Sequence, residues 1–348
     1  MKVGVTGGTG FIGKRVVRVL RERGHEVVCL VRSPERAQAL TALGATLARG
    51  DILDRQSLEA AFKGCEGVIH LAASYEVGLR FGSERAERSL QQNVEGTRNA
   101  LEVAVAAGCK RIVYTSSIVI HGSTEGRVVT EDTRPPAPAF PWPHVSVYFL
   151  GKARAHHEVA GPMMAAGAPL VAVLPGAVIG PGDTSTFNLI FEFIAAGLPG
   201  VVGGSRWTLV GVEDCALGHV LALERGKPGN CYHLTNENVS LEELYRRAAG
   251  LVGKSGPVVR LPDWMLRAQI ALSTLLERAF TVPRLVSSET ARGMLSAVTL
   301  MFDSTRTQQE LGWTPASTDV AIKEALAYEL AKRGKPLPRL LEGVNPRT

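Results

Sequence analysis

The chain has 348 residues, 45% hydrophobic and 21% charged, enough apolar material for a large buried core in one big domain or two lobes. Its formal charge of +6 and pI near 9.2 are only mildly basic, and Lys and Arg are interspersed with Asp and Glu, so no nucleic-acid partner is expected. No run of ~20 apolar residues occurs, so no membrane-spanning helix is expected.

Residues 2–6 predict a short strand, Thr6 to Gly13 a glycine-rich turn, and residues 11–23 an amphipathic helix in which Val and Leu alternate with Arg and Glu. Strand, glycine turn and helix together make a dinucleotide site: the glycines let the backbone approach a pyrophosphate, and the helix N-terminus supplies N–H donors and positive dipole. Two registers fit, Gly8-x-Gly10-x-x-Gly13 and Gly7-x-x-Gly10-x-x-Gly13. The N-terminus runs straight into this strand, so no signal peptide is expected.

Further apolar runs of strand length lie at 27–31, 46–48, 67–70, 111–115 and 170–174, separated by helical patterns at 34–43, 54–63, 84–107 and 147–166. The alternation predicts an α/β fold, a Rossmann-type doubly wound parallel sheet. The fifth strand ends in the hydroxyls of Thr115, Ser116 and Ser117, and Tyr148 and Lys152 lie one turn apart on one face of the 147–166 helix. After Pro175 Gly- and Pro-rich segments alternate with short helices. Residues 1–177, with 207–235 returning to them, are expected to form the dinucleotide domain. Residues 178–206 and 236–334 are expected to form a smaller, mostly helical substrate lobe, and 335–348 a loose tail. The segment from Trp264 to Val282 has an apolar face through Met265, Ala268, Leu272, Leu275, Leu276 and Ala279; packing on the core is the expectation, lining a greasy entrance or touching a bilayer the alternative. The five cysteines are scattered, with no Cys-x-x-Cys and no Cys/His cluster, which predicts reduced, mostly buried thiols in a cytoplasmic protein and no metal site. The adjacent His156 and His157 read as surface residues.

Thr6-Gly7-x-x-Gly10-x-x-Gly13, joined to Tyr148-x-x-x-Lys152 and an upstream serine, resembles the extended short-chain dehydrogenase/reductase family, of the NAD(P)-dependent epimerase/dehydratase type. Asp51-Ile52, His70-Leu71-Ala72-Ala73, Asn93-Val94-Glu95-Gly96-Thr97, Pro175 to Gly182, Val212-Glu213-Asp214 and Glu310-Leu311-Gly312-Trp313 carry the resemblance along nearly the whole chain. Within the family the chain is most similar to the dihydroflavonol-reductase branch and its bacterial relatives, including hopanoid-associated sugar epimerases.

The resemblance implies the catalytic set Ser117, Tyr148 and Lys152, with Ser116 as the fallback if the alignment through Gly122 slips by one. Hydride transfer to a ketone develops alkoxide charge, which Tyr148 would protonate. A free Tyr has a pKa of ~10, and a cation one turn away favours its phenolate. Lys152 would also hold the ribose hydroxyls, and Ser117 would donate to the substrate oxygen. Cofactor contacts are implied for Gly7, Thr9, Gly10, Phe11, Ile12 and Gly13 at the turn and for Asp51 and Ile52 at the adenine. Leu71, Ala72, Ala73 and Thr115 would border the nicotinamide ribose, and Pro175, Gly176 and Val178 the carboxamide. Val31 stands where an NAD-specific acid would close the second strand. Arg32 and Ser33 follow, and a guanidinium can fork a 2′-phosphate. NADP is therefore the expected cofactor, with NAD the alternative.

Two departures stand out. Gly151 replaces a serine common in the Tyr helix, which would let a bulky substrate or the ribose come close, and Ile120-His121-Gly122 replaces the Val-Tyr-Gly of many epimerases. Asn93 either orients groups near the cofactor or caps a helix. The expected function is an NADP-dependent oxidoreductase interconverting a ketone and a secondary alcohol. The alternative is a nucleotide-sugar epimerase or dehydratase that uses its cofactor transiently; a third reading, a silent NADP-sensing regulator, is disfavoured because Tyr148 and Lys152 are both present. Trp142, His144, Trp207, Trp264 and Met265 suggest a partly apolar small-molecule pocket. The resemblance also implies a homodimer paired through helices 84–107 and 147–166.

Overall fold

Strands buried on both faces read as near-continuous apolar runs, and these runs form the central sheet. In the computed structural model, which describes residues 1–76, 78–133, 135, 146–253, 258–277 and 286–344, they are β1 (Lys2–Thr6), β2 (Glu26–Val31), β3 (Thr46–Arg49), β4 (Gly67–His70), β5 (Arg111–Thr115) and β6 (Leu170–Pro175). Three short strands follow, β7 (Ala177–Ile179), β8 (Gly200–Val202) and β9 (Arg206–Gly211), and then β10 (Cys231–Leu234). The order β3-β2-β1-β4-β5-β6-β10 is parallel throughout.

The connecting helices are α1 (Phe11–Glu22), α2 (Gln38–Ala42), α3 (Arg55–Phe62), α4 (Glu84–Ala106), α5 (Val147–Ala155), α6 (Gly161–Ala165), α7 (Asn188–Ala196) and α8 (Val212–Arg225). Period-2 alternation sorts the strand side chains. Val3, Val5, Ile69 and Val113 pack with Val16, Leu20, Val220 and Leu223 of α1 and α8. Val68, Ile112 and Tyr114 point the other way, to Leu58 of α3 and Leu101 of α4.

Past β10 lie β11 (Glu237–Ser240), α9 (Leu241–Gly250), β12 (Val258–Arg260), α10 (Asp263–Leu276), α11 (Ser288–Met294), β13 (Thr299–Leu300), α12 (Thr305–Leu311) and α13 (Thr318–Lys332). A second sheet gathers β7, β11 and β13 around β9, and β8 pairs with β12. The Glu310–Trp313 motif is structural here. Trp313 is fully buried and donates its indole N–H to the Asp214 carbonyl at 2.9 Å, and Glu310 accepts from the Tyr232 hydroxyl at 2.8 Å.

Three expectations change. The strand at 206–211 does not rejoin the main sheet: β10 occupies the free edge of β6, so β9 pairs within the second sheet. The helix expected over 147–166 is present as α5, a π-helical segment at His156–Ala160 and α6 in unbroken succession, with Pro162 at the start of α6. His156 is buried rather than on the surface, because its Nδ1 meets Ser116 Oγ at 3.1 Å. The tail is held at least as far as a short turn at Arg339–Leu341, where Leu341 is fully buried in the core. Four of the five cysteines are buried, and all five are free thiols. Among the described residues no helix is long and apolar enough to cross a membrane, and no His/Cys/Asp/Glu cluster suits a metal ion.

Candidate active site

The β1–α1 turn is built so tightly that side chains cannot enter it. Gly7 adopts a φ of +74°, and a Cβ there would stand 2.6 Å from the Ala72 amide nitrogen. At Gly13 a Cβ would lie 2.1 Å from the Gly7 carbonyl oxygen, so helix and strand meet backbone to backbone. Gly10 caps α1 without any side-chain hydrogen bond. A cradle closed to side chains at an uncapped helix N-terminus fits the pyrophosphate of a dinucleotide. The left-handed residue is Gly7, in keeping with the Gly7/Gly10/Gly13 register; Gly8 has no positive φ.

From this turn a cleft of about 470 Å³ opens. Of the residues singled out in the sequence, Gly7, Gly10, Phe11, Ile12 and Gly13 line it, as do Leu71, Ala73 and Thr115. Ser117, Tyr148, Lys152, Gly176 and Val178 line it further along. Thr9 and Arg32 lie outside the lining, exposed, with Arg32 at the carboxyl end of β2. Asp51 and Ile52 are half-buried after β3: the Asp51 carboxylate accepts from Leu53 N at 2.9 Å, and Ile52 packs over Gly96 of α4. Ala72 donates its N–H to Thr6 Oγ1 at 3.3 Å, and Pro175 is buried at the end of β6. Trp207 lines the cleft, whereas Trp264 and Met265 are exposed on α10 and do not. Trp142 and His144 lie outside the described residues.

Three consecutive hydroxyls at the end of β5 take three different partners. Thr115 Oγ1 meets His219 Nε2 at 3.0 Å. Burial holds His219 down to about 4, so the ring is neutral; its Nδ1–H goes to the Cys215 carbonyl at 2.7 Å, and Nε2 accepts from Thr115. Ser116 turns into the core toward His156. Ser117 faces the cleft and caps a short turn at Ile118–His121, accepting from Val119 N at 3.4 Å. The slip to Ser116 therefore has no support in the geometry.

α5 begins at Ser146, whose hydroxyl accepts from Phe149 N at 3.1 Å, and brings Tyr148 and Lys152 to the cleft one turn apart. Lys152 Nζ donates to the Thr115 carbonyl at 2.7 Å and stands 6.0 Å from the Tyr148 ring centroid. Burial lowers Lys152 from 10.5 to about 7 and raises the Tyr148 phenol above its ordinary value. This differs from the expectation that Lys152 draws Tyr148 toward the phenolate. Both groups are desolvated, and loss of water outweighs their mutual influence.

Gly151 also has a reason other than room for a ligand. A Cβ there would stand 2.7 Å from Asn93 Nδ2, so the glycine admits the Asn93 side chain of α4. Asn93 is not a cap: it binds the Ser74 backbone on both sides, accepting from N at 2.7 Å and donating to O at 3.1 Å. It thereby holds the loop that carries Leu71 and Ala73.

Glu289 was not legible in the sequence. It comes from α11, lines the cleft, and accepts from Gly78 N at 2.6 Å and from the Ser146 hydroxyl. Burial raises its carboxyl from 4.5 to about 7. Tyr75, edge-on to Tyr148 with ring centroids 4.8 Å apart, and Asp183 line the cleft as well. Among the described lining residues Lys152 is the one lysine or arginine.

The chain matches the NAD dependent epimerase/dehydratase family over residues 3–235. It is 33% identical to a Synechocystis sp. protein provisionally named dihydroflavonol 4-reductase, over 93% of each chain. It is 30% identical to sterol demethylase protein B of Methylococcus capsulatus, over 93% of this chain and 97% of that one. The crystal structure of gox2253 superposes with a TM-score of 0.79 at 34% identity, covering 96% of this chain and 98% of the other. The family match over residues 3–235 and the chain-long likeness to a relative at 33% identity show that the protein belongs to the NAD-dependent epimerase/dehydratase family, the extended short-chain dehydrogenases/reductases, as one of its NAD(P)-dependent enzymes.

Proposed function

We propose that the protein is an NADP-dependent oxidoreductase that reduces an apolar, medium-sized ketone to its secondary alcohol, or runs the reverse reaction. The observation that carries this reading is the lining of the cleft beyond Tyr148. It is largely apolar, through Val119, Phe149, Phe187, Ile190, Phe193 and Met294, with the hydroxyls of Thr184, Ser185 and Thr186 and the carboxylate of Asp183, and without a lysine or arginine other than Lys152 among the described residues. The diphosphate of a nucleotide sugar is a dianion best held by cations. An apolar ketone needs none. The relatives named for flavonoid and sterol chemistry point the same way.

A dinucleotide held at the Gly7–Gly13 turn would supply the hydride. Ser117 donates its hydroxyl to the carbonyl oxygen, stabilising charge where it develops. Tyr148, kept protonated by burial, gives its proton to that oxygen. Lys152, fixed by the Thr115 carbonyl, faces the Tyr148 ring and would hold the ribose hydroxyls. The choice of NADP rests on Val31 and on Arg32, whose guanidinium has no ion-pair partner among the described residues. In this reading residues 178–206 and 236–334 shape the substrate end, the enzyme works in the cytoplasm with reduced thiols, and a second copy pairs through α4 and α5.

The test is incubation with NADPH and a panel of ketones, followed by absorbance of the reduced cofactor. Net oxidation is the expected result. Product without net oxidation marks an epimerase, and binding without turnover marks a regulator.

A further inference from the structure

Helix α10 is mounted inside out. Several of its polar groups bond to the rest of the protein: Asp263 accepts from Ser296 N at 3.1 Å and Oγ at 2.5 Å, and Glu277, just past its end, accepts from Ser288 N and Oγ, each at 2.8 Å. Thr274 accepts from Arg292 at 3.2 Å. These bonds tie α10 along the back of α11, and Leu266 and Ser273 are buried between them. The outward side is apolar. Trp264 is 70% exposed, Leu272 and Leu275 are each 59% exposed, and Met265 and Leu276 are exposed beside them. Ala268 and Ala271 fill the stripe, and Arg267 is the single charged side chain among the exposed residues of the helix. The spacing follows the 3.6-residue period on the side opposite the buried one. A surface helix ordinarily turns its polar face to water, and a contiguous exposed apolar patch of this kind marks an interaction site.

We propose that α10 docks on an anionic lipid surface, seating the mouth of the cleft at the bilayer. Three features favour lipid over a second copy or a protein partner. The stripe is flanked by exposed Arg267 and by exposed Arg260 on β12, charges that suit anionic headgroups. Trp264 stands at one end of the stripe, and tryptophan favours the headgroup boundary. The stripe also lies one helix away from the cleft, because α10 packs on α11. Exposed Val259 of β12 pairs beside Val201 of β8, which is itself exposed and lines the cleft, and α11 behind the stripe lines the cleft through Thr290, Gly293 and Met294. An apolar ligand held in a bilayer would then have a short path to the cleft. That delivery step rests on the apolar-ketone reading; the docking itself does not.

The test is co-sedimentation of the full-length chain with vesicles of phosphatidylcholine alone and of equal parts phosphatidylcholine and phosphatidylglycerol. Wild-type protein is expected to pellet with the anionic vesicles. Leu272→Glu/Leu275→Glu is expected to partition at least ~10-fold less, with an unchanged melting temperature and unchanged NADPH binding. Arg267→Glu is expected to lose the preference for anionic over zwitterionic vesicles. Wild-type protein left in the supernatant with both vesicles, or a double variant that pellets like wild type, overturns the proposal. So does a dimer in solution that Leu272→Glu/Leu275→Glu splits while vesicles go unbound, since a second copy then covers the face. Every readout is binding rather than turnover, so failure here leaves the reductase reading standing, and failure of that reading leaves this one.

Discussion

Lys152 donates from Nζ to the main-chain carbonyl of Thr115 across 2.7 Å, so the last residue of β5 fixes the cation that serves Tyr148. Thr115 is fixed in turn by neutral His219 on α8. The chemistry is thus positioned by the sheet rather than by a loop, which favours precision.

The first prediction follows from the cost of burying Lys152. Its ordinary value of 10.5 falls to about 7 in the fold. Above 10.5 both folded and unfolded chains are neutral there and nothing is lost. As pH falls toward 7 the unfolded chain takes the proton first, and folded stability drops. Lys152→Met should therefore raise stability near pH 7 by ~1–2 kcal/mol, after the unpaired Thr115 carbonyl is allowed for, and the gain should vanish near pH 10.5. Urea melts at the two pH values check this; turnover should be lost at both.

Glu289 carries the opposite proton balance. Its carboxyl rises from 4.5 to about 7 in the fold, so its stabilising contribution is complete below 4.5 and is lost as pH rises through 7. Glu289→Gln keeps an oxygen to accept from Gly78 and Ser146. The variant should match wild type near pH 4.5 and exceed it by ~1–2 kcal/mol at pH 8, discounting for the partly exposed carboxyl. Equal pH profiles for the two proteins would refute the assignment.

Cofactor selection turns on Arg32. Arg32→Ala should weaken NADPH by ~1.5–3 kcal/mol, the range for a charge-assisted contact, and leave NADH nearly unchanged. Calorimetric titration of both dinucleotides measures it, and equal affinities in the wild type would count against NADP.

Gly151→Ala sets two effects against each other. Alanine gains ~1 kcal/mol of helix propensity. Its Cβ would also press on Asn93 Nδ2 at 2.7 Å and cost the two bonds to Ser74. The steric side should win, with a net loss of ~1 kcal/mol and faster amide exchange at Ser74. A more stable variant with slow exchange at Ser74 would show that Asn93 does not hold the loop.

What the sequence made legible was local. Gly7, Gly10 and Gly13 specify a turn through steric limits within a few residues, and Tyr148 and Lys152 share a face by helical spacing alone. Six of the seven strands of the main sheet announce themselves as apolar runs, most of them buried on both faces, whereas β10 does not. What stayed hidden depends on partners far away in the chain. Ser116 and Ser117 are chemically alike, and only the π-turn that carries His156 separates them. Asn93 and Gly151 explain each other only once α4 and α5 are packed. Glu289 is one acid among many until α11 brings it to Ser146. The strand at 206–211 reads as sheet-forming, but nothing in its own residues says which sheet.

The most direct test is the initial rate of NADPH oxidation with a graded series of apolar ketones, for wild type and Tyr148→Phe. The account predicts net consumption of NADPH by the wild type. It predicts kcat lower by at least ~100-fold in Tyr148→Phe, with NADPH affinity nearly unchanged. Micromolar binding of UDP- or GDP-sugars, with no turnover of any ketone, would contradict it and establish an epimerase instead.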